Sequence, residues 1–214
     1  MRLHSYWRSL ATYRVRIALN LKSLHAADLN VDIDNGGQDT PAFRALNPMG
    51  GVPALVLSGE DDAADTVLTQ SLAILEWIEE THPAPPLLPA GAAARARVRA
   101  LCAITAADTH PLVVPRVQQY LIAQGWDQDR RMAWNAHWFG KGLDGYEAQV
   151  GPGPFVAGVA PGMADICLAS HVAGAQRFGV ALDSHPNVRR IHDACMAMPE
   201  FSNAHPLKQA GAPA

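Results

Sequence analysis

Several features that mark particular classes of protein are missing from this chain of 214 residues. Acidic residues (20) outnumber basic ones (17), and no basic run exceeds Arg189-Arg190, so the clustered positive charge of nucleic-acid binders is absent. Apolar stretches fall short of the roughly 20 residues of a membrane span, and the N-terminus lacks the apolar segment of a signal peptide. We therefore expect a cytoplasmic protein that binds neither nucleic acid nor a membrane.

Cysteine is also scarce. Cys102, Cys167 and Cys195 are far apart, form no CxxC pair and lie in apolar segments with helical character. This arrangement favours buried free thiols over a disulfide framework or a zinc site. None of the nine histidines has the spacing of a metal motif such as HExxH, so we expect no bound metal.

Two regions of different pattern make up the chain. The first has signals in the order β-α-β-α-β-β-α, ending near residue 82, and Arg14 and Arg16 are expected on the polar face of its first helix. A proline-rich connector at residues 84–89 cannot continue a helix, and helical periodicity dominates beyond it. The predicted fold class is therefore an α/β domain at residues 1–84 followed by an all-α domain at residues 90–214.

Three short segments of the first domain are candidates for a ligand site. They are residues 8–12 at the start of the first helix, residues 51–53 before the third strand, and Gln70-Ser71 at the start of the last helix of the domain. A cis Val52-Pro53 bond would turn the Val52 backbone N–H and C=O toward an extended peptide. The amides of a helix N-terminus, with a serine hydroxyl, could hold a carboxylate. Together the segments predict a peptide-like anionic ligand, although Ser71 alone is more typical of a simple helix N-cap.

Six motifs occur in order along the chain: WRS at 7–9, RVRIAL at 14–19, ALNPM at 45–49, VPAL at 52–55, TQSLAI at 69–74 and AHPL at 204–207. This order resembles the zeta class of glutathione transferases, which contains the maleylacetoacetate and maleylpyruvate isomerases. The resemblance covers residues 3 to about 209. It implies a thioredoxin-like N-terminal domain, a C-terminal helical bundle domain and a homodimer.

Glutathione is the cofactor that the resemblance implies. Val52, followed by Pro53, would pair with the cysteinyl backbone of glutathione. Gln70 and Ser71 would hold its γ-glutamyl end, and Gln38 would lie near its glycyl end. The resemblance therefore places most of the cofactor contacts in the first domain.

Ser9 matches the first serine of a Ser-Ser-Cys segment in the family. Its hydroxyl would donate a hydrogen bond to the glutathione thiolate, assisted by Thr12, and would lower the pKa of the thiol. The second serine and the cysteine of that segment are replaced here by Leu10 and Ala11. The helix dipole would supply part of the remaining stabilisation.

Three arginines are the candidates for binding substrate carboxylates: Arg8, Arg116 and Arg177. A guanidinium can pair with a carboxylate through two parallel hydrogen bonds. His110 matches a cleft residue of the family and is assigned to the cofactor. Without the resemblance, His110 would be a structural residue, Arg116 a solvated charge and Arg177 a surface ion pair.

Gly162 and Asp165 stand where these transferases carry a capping box that starts a buried helix. Glycine can cap without a side-chain oxygen, and Asp165 can still accept from free amides at the helix start. We expect Asp165 to be structural.

The reaction that the resemblance implies is the cis–trans isomerisation of a dicarboxylic dioxo acid, maleylpyruvate or maleylacetoacetate, in the catabolism of aromatic compounds. Two alternatives remain open. One is a transferase that uses glutathione to displace halide from small α-haloacids. The other is a glutathione-binding protein with little catalysis, which is suggested by Leu10, Ala11 and the valines Val113 and Val114, at positions where the family has asparagines.

Overall fold

The computed structural model describes residues 1–59 and 64–213, and the chain forms two compact units. The first contains Met1–Pro85 and Pro199–Ala214, and the second contains Pro86–Met198. The predicted division places the C-terminal residues in the second domain instead. They belong to the first unit because Phe201, which is fully buried, accepts a hydrogen bond from the Tyr13 hydroxyl at 3.2 Å through its carbonyl oxygen.

A four-stranded mixed sheet is the centre of the first unit. Its strands are β1 (Arg2–Ser5), β2 (Ala27–Asn30), β3 (Ala54–Leu57) and β4 (Thr66–Thr69). Their order is β2-β1-β3-β4, with β1 parallel to β2 and the other two pairs antiparallel. Helices α1 (Leu10–Leu21) and α2 (Pro41–Leu46) connect strands, and α3 (Ser71–Thr81) follows β4. The predicted β-α-β-α-β-β-α order is confirmed.

Helix α1 is buried along almost its whole length, and the prediction for two of its arginines is wrong. Arg14 and Arg16 are predicted on an exposed polar face, but they are only 2% and 8% exposed. Arg16 can be buried because it meets acceptors: its guanidinium donates to the Asp28 carboxylate at 3.0 and 3.1 Å and to the Ser5 hydroxyl at 2.8 Å. A buried charge is tolerated when it is paired and hydrogen-bonded.

Lys22, which follows α1, is a further buried cation. Its side chain has no exposed surface, and its ammonium donates to the Glu79 carboxylate at 2.7 Å. It also donates to the carbonyl oxygens of His82 at 2.5 Å and Pro85 at 2.6 Å. Because an ammonium has three donors, all three are used. Lys22 thereby ties the end of α1 to the end of α3 and to the connector.

The second unit is built from helices. They are α4 (Ala92–Ala103), α5 (Pro115–Ala123), α6 (Gln128–Glu147), α7 (Met163–Arg177) and α8 (Pro186–Met196). Between α4 and α5 lie a π-helical turn, Ile104–Thr109, and a 3-10 turn, His110–Leu112. The predicted helical character of this part of the chain is confirmed.

Helix α7 forms the core of the second unit. Twelve of its 15 residues are buried, among them His171, whose Nε2 lies 2.8 Å from the Phe139 carbonyl oxygen. Gly142 of α6 faces the same ring, and a Cβ there would lie 2.3 Å from it. Glycine is therefore required at position 142 for the two helices to approach this closely.

The three cysteines are buried and free, as predicted. Among the described residues, no helix is both long and apolar enough to cross a membrane. No group of three or more His, Cys, Asp or Glu side chains in residues 1–59 and 64–213 is arranged to hold a metal ion.

Candidate functional site

Four loops of the first unit begin or end at one edge of its sheet. The backbone register places His4 of β1 opposite Ala54 of β3, and Ala54 opposite Thr69 of β4. On the other side of β1, Ser5 is the partner of Asn30 in β2. The segments that follow β1, β2 and β4, and the segment that precedes β3, therefore leave the sheet together. This confirms that residues 8–12, 51–53 and 70–71 start from the same edge.

Ser9 is the N-cap of α1. Its hydroxyl oxygen accepts a hydrogen bond from the Thr12 amide at 3.1 Å, and its own amide donates to the Tyr6 carbonyl at 3.1 Å. A hydroxyl that accepts from an amide keeps its own hydrogen available for donation. Ser9 can therefore donate to an anion beside the helix N-terminus, where the helix dipole adds positive potential.

Other side chains in the first turn of α1 offer little exposed polar surface. Leu10 and Ala11 are half-buried and apolar. Thr12 is fully buried, and its hydroxyl has no hydrogen-bond partner among the described residues. An unpaired buried hydroxyl costs about 1–3 kcal/mol, and a polar ligand atom that reached it would remove part of that cost.

Arg8 forms an ion pair within the first unit. Its Nη2 donates to Oδ1 of Asp34, and the Tyr6 hydroxyl donates to Oδ2 of the same carboxylate. The guanidinium carbon also lies 5.5 Å from the centre of the Tyr6 ring. Arg8 is therefore held in place directly before the N-cap Ser9.

The Val52-Pro53 peptide bond is cis, as predicted. The loop before it is held by Asn47, whose side-chain amide donates to the Gly51 carbonyl at 2.6 Å and whose Oδ1 accepts from the Met49 amide at 3.1 Å. Within the part of the chain that the structure describes, neither the N–H nor the C=O of Val52 forms a hydrogen bond. Val52 thus offers a donor and an acceptor beside the sheet edge.

Gln70 and Ser71 form the start of α3. Gln70 has a positive backbone φ of 67°, with ψ 114°, which is unusual for a residue other than glycine. Such conformations cost about 1–3 kcal/mol and cluster at ligand-binding sites. Ser71 is 6% exposed and is the first residue of the helix, so its amide has no partner within α3.

Gln38 lies in a 3-10 turn, Gly37–Asp39, in the segment that follows β2. Its side-chain amide donates to Asp39 at 3.0 Å, and Asp39 is paired with Arg44 at 2.5 Å. The Oε1 of Gln38 is buried and has no hydrogen-bond partner among residues 1–59 and 64–213. It is an acceptor that a donor on a ligand could satisfy.

His110 follows the π-helical turn of the second unit. Thr109, the last residue of that turn, donates its hydroxyl to the Ile104 carbonyl at 2.8 Å, and the His110 amide donates to the Thr105 carbonyl. The His110 side chain is half-buried. Because π-helical turns occur frequently at functional sites, the turn is consistent with a role for His110.

The other predicted residues of the second unit are two exposed arginines. Arg116 lies in the first turn of α5, and its side chain forms no ion pair or hydrogen bond with another described residue. Its guanidinium and the helix N-terminus are both positive, which favours an anion nearby. Arg177 is the last residue of α7.

Asp165 has the structural role that the sequence predicts. Its carboxylate accepts from the Gly162 amide at 2.9 Å and from the Val156 amide at 2.8 Å, which completes the capping box of α7. Burial raises the pKa of Asp165 to about 6, even though the two amides favour the ionised form.

Asp34 is a charged residue of this site that the sequence did not indicate. It is 26 positions from Arg8 and lies in an Asn-Gly loop, where an aspartate is usual for turn formation. The signal that could have found it is the register of β1 and β2, which brings the segments after Ser5 and Asn30 to the same edge.

The first unit matches a known family model. Residues 8–81 match the model described as Glutathione S-transferase, N-terminal domain. The matched segment begins at Arg8 and includes the loops at the sheet edge.

Curated proteins and solved structures match the whole chain. Maleylacetoacetate isomerase from Pseudomonas aeruginosa is 43% identical, with 100% of both chains covered. Maleylpyruvate isomerase from Ralstonia sp is 41% identical, with 98% of both covered. The holo structure of a maleylpyruvate isomerase, described as a bacterial zeta-class glutathione S-transferase, has a TM-score of 0.92 at 41% identity over all of both chains. Maleylacetoacetate isomerase from Methylobacterium extorquens AM1, with bound malonate and glutathione, has a TM-score of 0.93 at 42% identity over all of both chains.

Full-length identity of this degree, the fold and the sheet-edge loops agree with one another. The chain belongs to the zeta-class glutathione transferase family of maleylacetoacetate and maleylpyruvate isomerases.

Proposed function

We propose that this protein is a glutathione-dependent cis–trans isomerase of maleylpyruvate or maleylacetoacetate. The observation that carries the proposal is the sheet edge of the first unit. A serine N-cap, a residue whose backbone N–H and C=O are both unused, and a strained helix start lie there on neighbouring loops. Relatives that share this fold at about 40% identity carry these names.

The residues of the first unit fit glutathione. Val52 would bind the cysteinyl backbone through its free N–H and C=O, and Gln70 and Ser71 would hold the γ-glutamyl carboxylate. The unpaired Oε1 of Gln38 would accept from the glycyl end. In the second unit, His110 would add a further contact to the cofactor.

Bound glutathione supplies a thiolate nucleophile. Ser9 stabilises that charge by donating its hydroxyl hydrogen, and the free amides at the start of α1 lower the pKa of the thiol further. The hydroxyl of Thr12, which lies unpaired in the same turn, would accept or donate one additional hydrogen bond. Position 11 is alanine, so the thiol in this turn would come from glutathione and not from the protein.

The substrate is dicarboxylic, so the protein must provide cations. Arg8 would bind one carboxylate beside Ser9, and Arg116 and Arg177 would bind the other. Addition of the thiolate to the carbon–carbon double bond would leave a single bond that can rotate, and its expulsion would restore the double bond. Fixed guanidinium groups would stabilise the negative charge that the dioxo segment carries between these two steps. The exposure of Arg116 and Arg177 in the second unit supports this role.

Stopped-flow measurement of the enol absorbance of maleylpyruvate, with and without glutathione, tests the proposal. We expect a loss of absorbance that requires glutathione but leaves its total concentration unchanged. When residues of the proposed site are replaced in this assay, Ser58→Ala is a suitable control. Ser58 is exposed and follows the end of β3 that lies away from the loops described above.

Two other results would contradict the proposal. Retention on glutathione resin without turnover would indicate a binding protein. Halide release from an α-haloacid, without isomerisation of either dioxo acid, would indicate a transferase.

We also propose a homodimer, which rests on the family resemblance. Light scattering coupled to size-exclusion chromatography should give a mass of about twice the 22.9 kDa of one chain. A mass of one chain at micromolar concentration would be evidence against it.

A further inference from the structure

The carboxylate of Asp34 is bound to Arg8, the residue proposed above to hold a substrate carboxylate. It accepts from Nη2 of Arg8 with one oxygen and from the Tyr6 hydroxyl with the other. Arg8 directly precedes the N-cap Ser9, which is proposed to bind the thiolate. The Asp34 carboxylate is therefore paired with the arginine that is nearest to Ser9 in sequence.

Asp34 is held in this position by its own loop. Asp32 accepts from the Asn35 amide at 3.3 Å and from the Asn35 side-chain amide at 2.6 Å, and Gly36 follows with φ 78°. Side chain-to-backbone bonds of this kind fix tight turns. The loop therefore presents Asp34 to Arg8 without a large loss of conformational entropy.

Tyr6 keeps the group of three side chains together at neutral pH. Burial raises the pKa of its hydroxyl, and the hydrogen bond to Asp34 raises the pKa as well, so the tyrosine stays protonated and donates. Its ring lies 5.5 Å from the guanidinium carbon of Arg8, within the range of a cation–π contact. Tyr6 thus contacts both members of the ion pair.

The pair can nevertheless be opened. The side chains of Arg8 and Asp34 are 27% and 48% exposed, so water screens their attraction. Exposed ion pairs of this kind are weak. Competition from the Asp34 carboxylate therefore lowers the affinity of Arg8 for a ligand carboxylate by only about two- to fivefold. A ligand that offers a carboxylate in a bidentate geometry can compete successfully.

We propose that Asp34 is a specificity-determining residue that acts through Arg8: its carboxylate occupies the guanidinium until a carboxylate of the substrate displaces it. The inference rests on the proposed role of Arg8 as a carboxylate anchor. Asp34 lowers the affinity for ligands that place a carboxylate on Arg8, whereas ligands that make no contact with Arg8 leave the ion pair intact and are unaffected. Removal of its charge increases the affinity for a dicarboxylate, whereas loss of a purely structural residue decreases it.

Calorimetric titration of the glutathione-loaded protein with malonate tests this. Asp34→Asn should bind malonate about two- to fivefold more tightly than the unmodified protein, since one competing charge is removed. Asp65→Asn is the matched control: it removes the same charge from another exposed Arg–Asp pair, Arg2–Asp65 at 2.5 Å, at the opposite end of β1. It should change malonate affinity by less than the Asp34 variant does.

Two further variants separate the possible failures. In an Arg8→Met background, Asp34→Asn should give no gain, because the competition no longer exists. If Arg8→Met alone binds malonate as well as the unmodified protein does, the proposed role of Arg8 fails. If Arg8→Met loses affinity while Asp34→Asn, folded as judged by its thermal melting, gains none, the role of Arg8 stands and the inference about Asp34 is overturned.

Discussion

The Ser9 hydroxyl combines two tasks at one helix end. Its oxygen caps α1 by accepting from the Thr12 amide, and its hydrogen is available for the thiolate that the cofactor supplies. In the neighbouring positions, Leu10 and Ala11 add no polar group. Stabilisation of the thiolate is therefore concentrated on the Ser9 hydroxyl and the helix amides, with Thr12 as the one further hydroxyl of this turn.

Replacing Ser9 by alanine should reduce the turnover number by about tenfold or more, because one donor to the thiolate is lost. The same change removes the N-cap, which costs about 1 kcal/mol of stability, so turnover is measured below the melting temperature of the variant. Ser9→Thr should retain most of the rate, since the hydroxyl remains. An unchanged rate in Ser9→Ala would remove this residue from the mechanism.

Helices of this protein carry their functional residues at their ends. Ser9 precedes α1, Ser71 begins α3, and His110 follows the π-helical turn after α4. The ends of helices have amides or carbonyls without partners inside the helix, which makes them suitable for ligands. The π-helical turn adds a residue to the helical path and so changes the direction in which His110 leaves it.

The Thr109 hydroxyl should be needed to keep this turn π-helical. It donates to the Ile104 carbonyl at 2.8 Å, five residues earlier, which is the spacing of a π-helix. Thr109→Val should lower the free energy of unfolding by about 1 kcal/mol and increase amide hydrogen exchange at His110, whereas Thr109→Ser should leave both nearly unchanged. Urea denaturation and exchange mass spectrometry measure the two effects, and equal behaviour of the two variants would show that the hydroxyl is dispensable.

At the scale of the molecule, stability depends on pH through the buried Asp165. The folded protein raises the pKa of this carboxyl from 3.8 to about 6, chiefly by burial, so folding takes up a proton between these values. A raised carboxyl pKa means that stability from this group increases as the pH falls through 6. The ionised form is the costly one at neutral pH.

Relative to an Asp165→Asn variant, whose side chain does not titrate, the unmodified protein should gain about 1 kcal/mol of unfolding free energy between about pH 7 and about pH 5. Denaturant titrations of both proteins at several pH values measure the difference. A difference that is independent of pH would mean that Asp165 has an ordinary pKa in the folded protein.

Local patterns were sufficient to predict the order of strands and helices, the cis Val52-Pro53 bond and the sheet edge on which the first-unit loops meet. Contacts distant in sequence were not predictable in this way. The burial of Arg16 depends on Asp28 of β2, and the position of the C-terminal residues depends on the contact of Phe201 with Tyr13. The partner of Arg8 likewise lies in another loop. Each of these requires the register of the sheet or the packing of α1, which periodicity does not specify.

The buried ammonium of Lys22 has a practical consequence for labelling. The chain contains three lysines, and the other two, Lys141 and Lys208, are exposed. Acylating reagents applied to the native protein will therefore modify these two side chains and spare Lys22, whose three donors are held by the Glu79 carboxylate and two carbonyl oxygens. Modification at Lys22, read by mass spectrometry of one peptide, then reports how often the first unit opens.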